Sequence, residues 1–229
     1  MDKYKYLLFD ADNTLLDFDQ SSSFAFKAMI NTYRPGSAEE LYAIYYKINK
    51  ACWAAVERGE IPLSEVKWVR FEQFIDAIGL QANPHEMNEA YFDLLRESVF
   101  FVQEAQFILN ELQTRGIGMS IITNGLKEVQ ERRFELAGIN DFFDQIIISD
   151  AIGVKKPERA FFEHTSKLVP NFNKEEFLVI GDTPGSDILG AYDFGLPSCW
   201  FNPNKKEWLE SDYAPNHTIS KLTEILELV

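Results

Sequence analysis

The chain has 229 residues, 46% of them hydrophobic, enough for one large domain or a core plus a smaller one. A formal net charge of −14 argues against DNA or RNA as the main partner, yet leaves room for a small phosphorylated substrate held locally by a cation or a lysine. No apolar run approaches the ~20 residues a membrane span needs, and Asp2, Lys3 and Lys5 lead into the first apolar run without a signal-peptide pattern.

That first run, Tyr6 to Phe9, reads as a buried strand ending in a polar turn with Asp10, Asp12 and Thr14. A polar patch, Asp17 to Ser23, follows, and the pattern is then helical to about residue 98. Ser37-Ala38-Glu39-Glu40 has the form of a capping box. The helix it opens carries Leu41, Ile44, Tyr45, Ile48, Cys52 and Ala55 on one face and stops at Gly59 and Pro62. A second helix turns Val66, Val69, Phe74 and Ile78 inward, with Gly79 past its end. Asn83 and Pro84 supply the cap and first position of a third, with Tyr91, Leu94 and Leu95 as its buried stripe.

From about residue 103 the pattern alternates. A helical run from Phe107 to Leu112 precedes a strand from Met119 to Thr123. Asn124-Gly125 then turns into a helix with Val129, Arg133, Leu136 and Ala137. A strand from Gln145 to Ile148, a helix from Pro157 to Leu168 and a strand from Phe177 to Ile180 follow. Thr183-Pro184 caps a helix running to Phe194, Ser198 to Phe201 forms a strand, and Thr218-Ile219 a short one before a last helix, Lys221 to Leu228. Alternating strands and helices imply a Rossmann-like, doubly wound parallel sheet covered on both faces. The crossover after the first strand is far too long for a loop, so residues 17–98 read as an all-helical domain inserted into a core of residues 1–16 and 99–229.

In such sheets ligands bind outside the carboxyl ends of the strands. The strand exits carry Asp10 and Asp12, then Thr123, Asn124 and Gly125, then Lys155, Lys156 and Pro157, then Gly181, Asp182 and Asp187. Carboxylates, a hydroxyl, a lysine and a helix amino terminus thus gather along one edge. Clustered carboxylates repel unless a hard, oxygen-seeking cation such as Mg²⁺ joins them. These parts suit phosphoryl transfer: a carboxylate as nucleophile, a second as general acid and base, and a hydroxyl, amides and a lysine for phosphate oxygens. A helix-flanked calcium loop does not fit, because Leu15 stands where that loop needs Gly and a strand precedes it.

Asp10-x-Asp12-x-Thr14, Thr123, Lys156-Pro157 and Gly181-Asp182 with Asp187 resemble, in order and spacing, the four motifs of the haloacid dehalogenase-like hydrolases. Phe9 to Phe18, Asn49 to Phe74, Ile121 to Gly125 and Gly181 to Gly190 are similar to the pyrimidine 5′-nucleotidase type within that superfamily. The resemblance implies Asp10 as nucleophile and Asp12 as general acid and base. It implies Mg²⁺ held by Asp10, the Asp12 backbone carbonyl and Asp182, with Asp187 in or just behind that shell. Thr123, Asn124 and Lys156 would bind the substrate phosphate, and the inserted helices would form a cap. Trp53, Trp68 and Phe18 are read as cap packing, and Arg70 as a polar contact to substrate.

The expected activity is hydrolysis of nucleoside 5′-monophosphates by a cytoplasmic monomer or homodimer. A phosphosugar phosphatase or mutase is the alternative within the fold. A dehalogenase needs neither Asp12 nor a metal, and a phosphate-accepting signalling module lacks a large cap and a dedicated acid. Cys52 and Cys199 stand far apart with no disulfide framework, as a reducing compartment allows. His85, His164 and His217 lie outside all four motifs and read as surface or packing residues.

Overall fold

In the structure, a computed structural model, residues 4–229 are described, the Glu57 side chain aside. Asp2 and Lys3 lie outside the described residues. The chain forms two compact units, one running through Asp17 and resuming at Phe100–Val229, the other Phe18–Val99.

The first unit is built on six parallel strands: β1 (Tyr6–Phe9), β2 (Gly118–Thr123), β3 (Gln145–Ile148), β4 (Phe177–Gly181), β5 (Ser198–Phe201) and β6 (His217–Ile219). Their order is β3-β2-β1-β4-β5-β6. β1 is central, with Tyr6 to Phe9 in register with Gly118 to Ile121 on one side and Phe177 to Ile180 on the other. β1 and β4 at the centre are apolar, fully buried runs, as strands covered on both sheet faces must be. The winding reverses between β1 and β4, which puts the crevice of the fold at their carboxyl ends.

After β1 the chain makes a tight turn. The Leu15 and Leu16 amides both donate to the Ala11 carbonyl, and Asn13 takes a positive φ of 61°. The segment leaving the unit pairs with the segment returning to it. Leu16 bridges Phe101, the Asp17 amide donates to the Phe100 carbonyl, and the Val102 amide donates to the Leu15 carbonyl. The two ends of the insertion are therefore stitched together inside the first unit, which lets a folded segment interrupt the chain without opening the sheet.

The second unit holds α1 (Phe18–Tyr33), α2 (Ala38–Glu57), α3 (Val66–Ile78) and α4 (Pro84–Arg96). The polar patch expected before α1 is in fact its first turns, with Ser21 and Ser22 buried and Ser22 accepting from the Tyr91 hydroxyl at 3.0 Å. Local polarity gave way to tertiary pairing there. The expected capping box does not form: Ser37, at φ −112° and ψ 12°, makes no side-chain cap bond. Asn83 does cap α4, accepting from the amides of His85 and Glu86. Ile44 faces outward, and Phe92 is more deeply buried than Leu94.

The core of this unit is aromatic. Phe26 stacks on Tyr45 at 4.3 Å between ring centroids, Tyr45 on Phe71 at 5.3 Å, and Phe74 meets Phe26 edge-on. Arg70 lies inside this core and is 1% exposed. Its guanidinium lies about 5 Å from the rings of Phe71, Tyr91 and Phe92 and donates to the side-chain oxygens of Asn49 and Asn88. Arg70 does not take the place expected of a contact to substrate: it is buried, and both of its terminal nitrogens donate to side chains of the same unit. Trp53 is half-buried against Cys52, Val56 and Val66, as packing requires.

The first unit also contains α5 (Ala105–Thr114), α6 (Lys127–Ala137), α7 (Ser149–Ile152), α8 (Arg159–Leu168) and α9 (Leu189–Phe194). The Thr183-Pro184 helix begins as a π-helical turn, Pro184–Ile188, and the last helix is a 3₁₀ segment, Leu222–Glu227. Arg70→Ala should lower the stability of the helical unit by about 3 kcal/mol, because it leaves a cavity and two unpartnered amides. Urea denaturation followed by circular dichroism checks this; an unchanged midpoint would mean that the buried guanidinium contributes nothing.

Candidate active site

Asp10 is the first residue past β1 and is only 7% exposed. Its amide donates to the Ile180 carbonyl of β4, so its place is fixed by the sheet itself. Lys156, 1% exposed, arrives from the loop after β3. Its ammonium donates to Asp10 Oδ1 at 2.7 Å, to Asp187 Oδ1 at 2.6 Å and to the Ile122 carbonyl at 2.7 Å. All three ammonium hydrogens are thus used. Asn124 sets this up. Its side-chain oxygen accepts from the Lys156 amide and its side-chain nitrogen donates to the Lys156 carbonyl, both at 2.9 Å.

β4 ends at Gly181, and a side chain could not replace that glycine's hydrogen: a Cβ would stand 2.2 Å from Asp187 Oδ2. That oxygen accepts instead from the Thr183 amide at 3.1 Å. Asp182 is held from two sides, its carboxylate by the Thr183 hydroxyl at 3.1 Å and its carbonyl by the Trp200 indole at 3.0 Å. Asp10, Asp182 and Asp187 each offer an oxygen within 4.8 Å of the others.

Burial pushes the Asp10 carboxyl well above the ordinary carboxylate range; Lys156 opposes this, and Asp187 and Asp182 reinforce it. Asp182 is pushed up to about 7 by burial and then by Asp187. Burial works to lower Lys156, but Asp10 and Asp187 outweigh it and raise the ammonium above its ordinary value. Three carboxylates share one ammonium, so a further positive charge would relieve the cluster. The donors are hard oxygens within reach of one ion, a set that fits Mg²⁺ and offers nothing to a thiol-seeking metal.

Asp12 and Thr123 are joined through side chains of α6. Arg133, fully buried, donates from one guanidinium nitrogen to Asp12 Oδ1 at 2.6 Å and to Gln130 Oε1 at 2.9 Å. Gln130 Nε2 donates to Asp12 Oδ2 at 2.9 Å and to Thr123 Oγ1 at 3.0 Å. Thr123 Oγ1 also accepts from the Gly125 amide. Gly125 must be small, since a Cβ there would meet the Gln130 side chain at 2.6 Å. Of the residues expected to carry the chemistry, Asp10, Asn124, Lys156, Asp182 and Asp187 thus form one cluster, and Asp12 and Thr123 are joined through Gln130 in a second. Gln130 was not among those expected, and Arg133 had been read only as a helix-face residue. A buried polar pair three residues apart on α6 is the signal that would have marked them.

The acidic, oxygen-donor cluster lies at the switch point of a doubly wound Rossmann-like sheet, the place where α/β sheets of this kind bind their ligands. The family model of haloacid dehalogenase-like hydrolases matches residues 7–201, so the chain belongs to that family. Pyrimidine 5′-nucleotidase YjjG of Escherichia coli is 32% identical over 227 residues, covering 99% of this chain and 98% of that protein. Pyrimidine 5′-nucleotidase PynA of Streptococcus pneumoniae is 29% identical, covering 96% and 90%. Among solved structures, the HAD-hydrolase YfnB of Bacillus subtilis, bound to magnesium, aligns with a TM-score of 0.92 at 30% identity, covering 99% and 98% of the two chains.

The raised Asp182 carboxyl has a consequence for stability. Without metal the folded protein holds this proton up to about pH 7, whereas the ordinary value is 3.8, so the folded state binds more protons between the two. Stability from this group must then fall as the pH rises through that window. Melting temperatures in chelator should show wild type losing ground to Asp182→Asn as the pH rises from about 4 to about 7. Added Mg²⁺ should restore the wild type alone; parallel curves with no metal response would contradict the assignment.

Proposed function

We propose that this chain is a Mg²⁺-dependent phosphatase of nucleoside 5′-monophosphates, working through a phosphoryl group carried on Asp10. The observation that carries the phosphatase reading is the buried Lys156 ammonium bridging Asp10 and Asp187 beside Asp182. It keeps a carboxylate fixed and oriented where a dianion must approach. Full-length similarity to two pyrimidine 5′-nucleotidases supports the choice of substrate, pyrimidine nucleotides first.

In the first half of the reaction an Asp10 oxygen bonds to phosphorus as the ester bond breaks, and an Asp12 proton goes to the departing oxygen. In the second half water attacks phosphorus, the Asp10–phosphorus bond breaks, and Asp12 takes the proton from that water. Asp10, Asp182 and the Asp12 carbonyl would hold Mg²⁺, with Asp187 behind them. The ion supplies charge neutralisation for the phosphate oxygens. Lys156 and Thr123 fix the transferring group's position. We read the helical unit, Phe18–Val99, as the cap that discriminates among substrates. Cys52 and Cys199, both free and buried, suit a reducing cytoplasm.

Two measurements test this reading. Asp10→Asn should lower turnover by roughly 10⁴-fold or more while leaving the fold intact, since it removes the attacking oxygen. Released phosphate should also disappear with chelator and return with Mg²⁺. In a screen of phosphorylated metabolites, pyrimidine nucleoside monophosphates should have the highest kcat/KM. Sugar phosphates ranking far above every nucleotide would replace the nucleotidase reading by the phosphosugar one.

A further inference from the structure

Asp12 is not merely near the nucleophile; it is clamped. Each carboxylate oxygen has its own buried donor, Arg133 at 2.6 Å and Gln130 at 2.9 Å. Gln130 and Arg133 are 1% and 0% exposed, so neither is a solvated side chain that happens to point inward. They are also joined to each other, and the Gln130 amide nitrogen divides its donors between Asp12 and Thr123. Burying a guanidinium is costly unless its geometry is well used, and here it is used on a carboxylate that packing alone does not require.

We infer that Gln130 and Arg133 are positioning residues for Asp12, holding its carboxylate in register with Thr123. The two partners lie three residues apart in the first turns of α6, and that helix follows β2, which ends at Thr123, after the short turn of Asn124 and Gly125. The Asp12 carboxylate and the Thr123 hydroxyl are thus tied to each other through the Gln130 amide nitrogen, so the register between the two depends on that one side chain. Gly125 belongs to the same device, because any larger residue would push Gln130 out of reach of Asp12.

The inference rests on the role given above to Asp12, and its test is separate from that of the nucleotide substrate. Proton donation matters for a leaving group that departs as a strong base and little for one that departs readily as an anion. The ratio kcat/KM reads only the steps through the first irreversible one, which includes the P–O cleavage. Gln130→Met and Arg133→Met are compared with wild type on phenyl phosphate, para-nitrophenyl phosphate and a pyrimidine nucleoside monophosphate, all in Mg²⁺, with folding checked by circular dichroism and melting temperature. The expected result is a fall of about 10- to 100-fold in kcat/KM for phenyl phosphate and the nucleotide, and of less than about threefold for para-nitrophenyl phosphate. Arg133→Lys should recover part of the loss, because it keeps a cation at Asp12. Should Arg133→Met fail to fold, Gln130→Met, which keeps a neutral side chain of similar length, decides alone. Equal falls on both aryl substrates, or no fall in a folded variant, would overturn the positioning role. Hydrolysis of aryl phosphates without hydrolysis of any nucleotide would sink the substrate reading and leave this inference standing.

Discussion

One ammonium group holds this site together. Lys156 reaches the Asp10 carboxylate after β1, a backbone carbonyl of β2 and the acidic residue beyond β4 in a single buried contact set. An exposed ion pair of this kind would be worth little. Inside the sheet's crevice, the same charges have lost most of their water, and removing one partner leaves the others uncompensated. The local design follows from that cost. Asn124 spends both ends of its amide on the Lys156 backbone, and Asp187 has one oxygen on Lys156 and the other on the Thr183 amide. The polar groups of the site are largely consumed in fixing one another, and Asp182, the most exposed of the three acids, lies with Asp10 and Asp187 in a group of oxygen donors within reach of one cation.

The parallel sheet is what makes such convergence possible. Functional residues separated by more than a hundred positions in sequence meet because each follows a strand that ends at the same edge. Close approach then becomes the limiting factor, and two glycines answer it. Gly181 makes room for Asp187, and Gly125 makes room for Gln130. Neither has a positive φ, so the reason for glycine is space and not backbone conformation. The same economy appears where the helical segment departs and returns. Its two ends pair across Leu16 and Phe101, so the first unit keeps its hydrogen bonds whatever the length of the insertion.

The helical unit solves a different problem. Four helices with many aromatic residues build a core in which rings pack at tilted and stacked angles, and Arg70 lies within it as a cation among π faces. Its neighbours Asn49 and Asn88 accept from its two terminal nitrogens as neutral amides, with no carboxylate bonded to it.

The amino-acid sequence by itself determined the parts of this protein that depend on local pattern. β1 and β3 fall where their apolar runs begin and end, and Asn83 caps α4 as its type demands. The order of carboxylates, hydroxyl and lysine along the strand exits was equally legible, because a doubly wound sheet converts position after a strand into position in space. Other features were decided only by tertiary contacts. Ser37 heads a helix without capping it, and Ser21 and Ser22, read as part of a polar patch ahead of the helical pattern, sit buried in the first turns of α1. Arg70 looked available for a ligand and is buried. Arg133 looked like one more helix-face residue and is bonded to Asp12. The physical reason is common to the buried ones among them, Ser22, Arg70 and Arg133. Local pattern reports the backbone preference of a residue and which way a helix turns, whereas the partner of a buried polar group is chosen by chain that lies far away in sequence.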